Sequence, residues 1–530
     1  MATTTPPILE LPPEVVVHIS NFLNTKELGD FRQSCKAIET ATFKAFSKDF
    51  FSKRQFMLEQ VSLQALVDIS KHPVLSKQLS EVIISTHKLP NQYSGFNRLS
   101  SALIESGYVD QDVLITTGLA RDMLVQAFSN LTNLRTVGLR DFDGLGRYRD
   151  GIDARWRTYG WSYGRVPHDV GPYQLENRSP DSYLPLILLA LGQARVSVQA
   201  IPRAVQHSES RSQNQADPLQ GTRSIVQLDI ILRRHHKLLP RSFDVLGGYM
   251  GTTVKPILAG LKQLLLVVDS NERYRLVDPT NDPPPRDALA NFLHHCRQLE
   301  ILRLNFCPND HYAERFLQWF GALGTTVLGA TALGAEFATV IPLSLPYLKT
   351  LDLGMLAASP SALVRTICKF DLTSLNLWKI TIECAPTDPA SFEEFLTNLA
   401  DVLPTSTAIR NISFGFIHQL RHTPLHLSMA DSIRFAKDGD VKNRAGHNVE
   451  ERAVFQIDHG LSVAQWLRAT ADRVWLENAE ENYISMGDDG SDEEVGDSDL
   501  DEPEDEEGVA IDGAGGDNGN EDEDDGGHEA

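Results

Sequence analysis

Cysteine is scarce in this sequence and never closely paired. Five cysteines (Cys35, Cys296, Cys307, Cys368 and Cys384) are scattered over 530 residues, and no CxxC pair occurs. That argues against a disulfide framework and a zinc ribbon, and points to a reducing compartment, the nucleus or the cytoplasm. Long apolar runs are missing too. The run YLPLILLALG, Tyr183 to Gly192, is well short of the roughly 20 residues a spanning helix needs. The stretch Thr325 to Leu343 is long enough, but it carries Glu336 among small residues. The opening MATTTPPILE has no basic region, so a signal peptide is not expected, and neither is a membrane partner. Catalytic signatures are absent as well: there is no G-x-S-x-G, no Walker loop and no H-E-x-x-H. The glycines of VLGGYMG (Val245 to Gly251) lack the lysine and hydroxyl of a phosphate loop. No enzyme, no cofactor and no specific nucleic-acid partner is expected.

The last 43 residues, Asp488 to Ala530, contain no lysine or arginine. They hold 21 of the 71 acidic residues, which leaves 50 acids against 49 bases elsewhere. The net charge of −22 therefore belongs to a tail. With so few apolar groups, residues 479–530 are expected to be disordered. Such a tail either solvates the protein or acts as an arm for basic partners such as histones.

At the other end, LPPEVVVHISNFL (Leu11 to Leu23) has two prolines where a helix can start at no cost and Glu14 to complement its dipole. Val15, Ile19, Phe22 and Leu23 follow at helical spacing. Asn24 with Glu27 reads as a capping box opening a second helix, with Leu28, Phe31 and Cys35 along one side. A third helix follows, with Ile38, Ala41 and Ala45 expected inward and Lys44 and Lys48 outward. Three short helices make a small core, so leftover apolar surface has to be covered by a partner or by the rest of the chain.

This stretch resembles an F-box. The family pattern of Leu-Pro, Glu-aliphatic, Ile, aromatic-Leu and acid-Leu is met by Leu11, Pro12, Glu14, Val15, Ile19, Phe22, Leu23, Glu27 and Leu28. The sequence departs from the pattern at Ser34, where the family has an aliphatic residue, and near Ile38, where the family has a Trp or Phe. The resemblance spans residues 8–50, and Lys53 to Leu79 looks like the continuation seen in fungal F-box proteins. It implies a docking module for the Skp-type adaptor of SCF-type cullin–RING ubiquitin ligases. By position, Leu11, Pro12, Glu14, Val15, Ile19, Phe22, Leu23, Leu28 and Phe31 would carry the contact; the alternative is that these residues form only an internal core.

The middle of the chain repeats a pattern, L-x-x-L-x-x-L-x-L with conservative replacements. It begins at Leu131, Leu258, Cys296, Leu345 and Lys369, with looser copies at Ser76, Thr222 and Ser406. The final alternating pair of each copy reads as a short strand, and Arg286 to Cys296 and Ser391 to Leu403 read as return helices. The pattern resembles the leucine-rich repeat. The copies are unevenly spaced, and only Cys307 fits the Asn/Cys position of that repeat, so a degenerate solenoid with insertions is expected. The fold class is then α/β: a flexible start at 1–7, a three-helix F-box at 8–54, and an irregular leucine-rich-repeat-like solenoid of parallel strands and return helices at 55–478. Insertions fall near 143–180 and 203–222, and the acidic tail follows.

Two clusters remain. His294, His295, Cys296, Cys307, Asp310 and His311 are zinc-ligand types, but no pair has a tight ligand spacing and both cysteines fit repeat core positions, so no metal is expected. Between Arg147 and Arg165, the residues Arg147, Arg149, Arg155, Trp156, Tyr159, Trp161 and Tyr163 interleave cations and aromatics. Such residues dominate binding hot spots, which makes them candidate contacts for a target protein. The other reading is a loop that packs on itself through Arg–aromatic stacking.

The function expected from these features is a non-catalytic substrate-recognition subunit of an SCF-type ligase, with the repeats binding an unidentified target. The alternatives are an F-box scaffold or chaperone acting outside the ligase, whose tail binds basic proteins, and an enzyme with an unrecognised metal site.

Overall fold

Alternating apolar residues put one face of each short strand in the core, and here the core faces line up from strand to strand. The structure is a computed structural model. It describes residues 7–477 apart from 89–97, 143, 145–146, 152–175, 178, 206–224, 234–237, 269–287, 307–310, 323–342, 384–390, 404–407, 423–427, 438–448 and 458–459. The described residues belong to one unit, Met1–Ala479.

The chain opens with α1 (Pro13–Ser20), α2 (Thr25–Ser34) and α3 (Lys36–Phe51), and β1 (Lys53–Met57) follows at once. Strand β1 thus begins inside the segment that the sequence assigns to the helical module. Next come α4 (Gln60–Lys71), α5 (Leu75–Gln78), β2 (Glu81–Ser85), β3 (His87–Lys88), α6 (Arg98–Thr116), α7 (Leu119–Asn130) and β4 (Thr136–Arg140). After β5 (Glu176–Asn177), which pairs with β3, come α8 (Tyr183–Val205), β6 (Gln227–Ile231), α9 (Gly251–Leu258), β7 (Gln263–Val267), α10 (Ala288–His294) and β8 (Ile301–Asn305). The last repeats add α11 (His311–Phe320), β9 (Thr350–Ala358), α12 (Pro360–Lys369), β10 (Ser374–Glu383), α13 (Phe392–Val402) and β11 (Asn411–Gly415). The end is built from β12 (His418–His422), β13 (Ser428–Ala436), β14 (Val449–Glu450), β15 (Arg452–Gln456), α14 (Val463–Ala471) and β16 (Val474–Glu477).

Strands β1, β2, β4, β6, β7, β8, β9 and β10 pair in that order, every pair parallel. All eight sequence copies fall on successive strands, from β2 to β11. Their alternating pairs form two in-register ladders. One runs Val82, Val137, Leu228, Leu264, Leu302, Leu351, Leu375, Ile412; the other runs Ile84, Leu139, Ile230 and, past the last β6–β7 pair at Asp229–Leu265, Leu266, Leu304, Leu353, Leu377, Phe414. Every residue of both ladders is buried. Parallel pairing needs a crossover between strands, and the helices that supply it cover the ladder face: Leu63 and Leu66 of α4, Leu124 of α7, Leu184 and Leu188 of α8 and Phe395 of α13 share the same core. Where α8 crosses α9, a Cβ on Gly192 would stand 2.5 Å from the Thr253 carbonyl oxygen, so only glycine fits. This one-strand-per-turn sheet with helices on one face is a leucine-rich-repeat-like architecture.

The C-terminal end was not foreseen. Strand β10 is long enough to pair with both β11 and β12, and the chain then turns antiparallel. Strand β15 pairs with β11, and β13 pairs with β12, β14 and β16. The Asn24–Glu27 capping box is present, with Glu27 N–H donating to Asn24 Oδ1 at 2.9 Å and Asn24 N–H to Glu27 Oε2 at 3.0 Å.

Candidate docking site

Three consecutive valines, Val15 to Val17, give helix α1 two ways to face the core. The structure takes Val16 and Ser20 inward. The stripe through Leu11, Val15 and Phe22 turns outward, with exposures of 38%, 40% and 76%. Pro12 and Glu14 are exposed beside it, while Ile19, Leu23 and Phe31 are half-buried. Phe22 also meets the His18 ring edge-on at 5.1 Å. A phenylalanine exposed at the corner of a module that also exposes Leu11 and Val15 offers apolar surface that association would bury favourably. Leu28 behaves differently. It is 2% exposed, so it belongs to the internal core and offers no surface for the adaptor contact the resemblance assigns to it. In α3, Ile38 is buried with Thr42, Ser47 and Phe50, whereas Ala41 and Ala45 are only half-buried; Lys44 and Lys48 face outward.

The corner between α1 and α2 is held from outside the helical module. Arg149 Nη1 donates to the carbonyls of Ser20 at 3.1 Å and Leu23 at 2.8 Å, and Arg149 Nη2 pairs with Asp49 Oδ2 at 2.7 Å. Asp150 accepts the Thr25 N–H at 2.7 Å and the Thr25 hydroxyl at 2.5 Å. The guanidinium of Arg147 lies 3.9 Å from the centre of the Phe50 ring. Arg147 and Arg149, candidate target contacts on the sequence, are therefore committed to the protein's own helices. The stacking partner is Phe50 of α3 rather than an aromatic of the loop itself, and a cation desolvated against an aromatic face gains more there than in water. Arg155, Trp156, Tyr159, Trp161 and Tyr163 lie outside the described residues. Sequence reasoning missed Asp49 and Asp150; the only local signal was an Arg-Asp dipeptide in a loop.

On the sheet face opposite the ladders, Trp378 covers Gly415, where a Cβ would stand 2.3 Å from the indole ring. Phe416 packs edge-on against Trp378 at 4.9 Å, and the Arg452 guanidinium stands 4.5 Å from the indole centre. Farther along this face Asp229 sits between Gly138 and Leu265 on the neighbouring strands. Its two carboxylate oxygens accept from Gln227 Nε2 at 3.0 and 2.8 Å. Burial is the main cause that raises its pKa, to about 6; Glu81 raises it further, while Gln227, Arg140 and Lys53 oppose the rise. The folded state thus holds this proton more tightly than the unfolded chain does, so Asp229 lowers stability as pH rises from about 4 to about 6. Asp229→Asn should match wild type near pH 4 and exceed it above pH 6, by about 3 kcal/mol at most. Denaturant melts across that range check the sign; a variant that gains nothing at pH 7 contradicts it.

In the histidine-rich cluster, Cys296 is fully buried with Sγ 3.6 Å from the Phe292 carbonyl oxygen, and burial pushes its thiol far up. Cys307 and Asp310 lie outside the described residues. Among the described residues no group of three or more His, Cys, Asp or Glu is placed to hold a metal ion, and no helix is long and apolar enough to cross a membrane.

No protein-family model matches the chain, and comparison with curated proteins finds no match. Among solved structures, the leucine-rich repeat-containing protein LegL7 from Legionella pneumophila is similar over 71% of this chain and 92% of its own, at 14% identity and a TM-score of 0.23. That likeness is too distant to add to the architecture described above.

Proposed function

We propose that the chain is a non-catalytic substrate-recognition subunit of an SCF-type cullin–RING ubiquitin ligase. Its helical module docks on a Skp-type adaptor, and its repeat sheet binds the target. The observation that carries this reading is the outward stripe Leu11, Val15 and Phe22, which coincides with positions where the F-box resemblance assigns adaptor contact. A turn that only joined α1 to α2 would gain nothing from leaving Phe22 76% exposed. The sheet face bearing Trp378, Phe416 and Arg452 offers aromatic and cationic side chains of the kind that anchor protein interfaces. The ligase needs no chemistry from this chain. Holding a target beside the transferring enzyme raises its effective concentration, which is enough to direct the reaction. Nucleus and cytoplasm both suit such a role.

The test is direct capture. Purified chain mixed with a Skp-type adaptor should elute as a complex and should join a cullin–RING assembly through that adaptor. Failure to bind any Skp-type adaptor would overturn the reading.

A further inference from the structure

The corner that presents Phe22 is an awkward piece of backbone. Helix α1 ends at Ser20 and α2 begins at Thr25, so four residues separate the last carbonyls of one helix, where His18, Ile19 and Ser20 accept from the Asn21, Phe22 and Leu23 N–H groups, from the first amides of the next. A helix C-terminus attracts positive charge and an N-terminus negative charge. The capping box satisfies part of the α2 end. The rest is supplied by two adjacent residues of opposite charge from the connection after β4. Arg149 donates to the carbonyls of Ser20 and Leu23 at the end of α1. Asp150 accepts from Thr25 at the start of α2. Asp49 of α3 balances Arg149, whose side chain is only 14% exposed. The Arg-Asp dipeptide therefore complements both helix ends at once, and the two carbonyls it grips flank Phe22.

We propose that Arg149 and Asp150 are positioning residues for docking: they fix the α1–α2 corner so that Phe22 and Leu23 are offered in the geometry the adaptor needs. This role rests on the docking reading above. It makes adaptor capture depend on a segment outside the F-box-like residues, so the module works as part of the repeat domain rather than as a detachable plug.

The test uses the full chain as wild type, Arg149→Ala, Arg149→Lys and Asp150→Ala, with a purified Skp-type adaptor as probe. Arg149→Ala should weaken adaptor binding roughly tenfold, because the adaptor must then order a corner that the wild-type chain holds in advance. Arg149→Lys, which keeps the charge and can still donate to the carbonyls, should recover most of that loss. Without adaptor, amide exchange at Asn21 to Thr25 should quicken in Arg149→Ala and Asp150→Ala, while strands β6 to β10 keep wild-type protection. If Arg149→Ala binds as wild type does, the positioning role is overturned alone. If protection falls across the whole sheet in step with affinity, Arg149 is a general structural residue and the role is again overturned. A wild-type chain that does not bind the adaptor overturns the docking reading, and this role falls with it.

Discussion

Adaptor capture should be lost when Val15→Asp is combined with Phe22→Ala, with a melting temperature within about two degrees of wild type. The two effects separate because both side chains are exposed in the free protein. Little native packing is removed, and an acid at position 15 suits the first turns of α1. Association is another matter. Burying a large apolar side chain contributes on the order of 1.5–3 kcal/mol, so losing two weakens binding by at least about a hundredfold. The carboxylate adds a desolvation cost at the interface. A double variant that is still captured at wild-type affinity would remove α1 from the docking face. One that melts far below wild type would show that the stripe is structural after all.

The largest stability loss is expected at Phe316. This residue of α11 is fully buried, with ring centres of Trp319, Phe320 and Phe306 at 5.4, 5.5 and 5.6 Å. Phe316→Ala removes a ring from the middle of an aromatic cluster that cannot collapse around the gap, and should cost about 3–5 kcal/mol. Phe316→Leu refills most of the volume and should cost clearly less. Chemical denaturation followed at the tryptophans measures both. An alanine variant within about 1 kcal/mol of wild type would show that the cluster repacks.

Much of this architecture could be read from the sequence because its signals are local. An L-x-L pair needs no knowledge of its neighbours to face one way, and all eight such pairs lie on successive strands in register. The Asn24–Glu27 box joins residues three apart and formed as expected. What escaped reading depends on distance or phase. Helical spacing cannot decide between Val15 and Val16 for the inward position, since either starts an apolar stripe. Leu28 fits the docking pattern and the internal core equally well, and only packing separates them. The tie from Asp150 to Thr25 joins residues 125 apart, beyond any local pattern. The antiparallel strands β13 to β16 carry no leucine repeat, because they end the run of parallel strands rather than lengthen it.

That ending bears on how copies of this chain behave when concentrated. A sheet built by adding one parallel strand per turn could in principle go on adding strands from a second molecule, and open edges of this kind seed fibrils. Among the described residues the far end instead folds back antiparallel, with β14, β15 and β16 as its outer strands. The near end is β1, five residues that start Lys53-Arg54. Short outer strands that carry charge, Lys53-Arg54 in β1 and Arg452 in β15, discourage end-to-end pairing of copies.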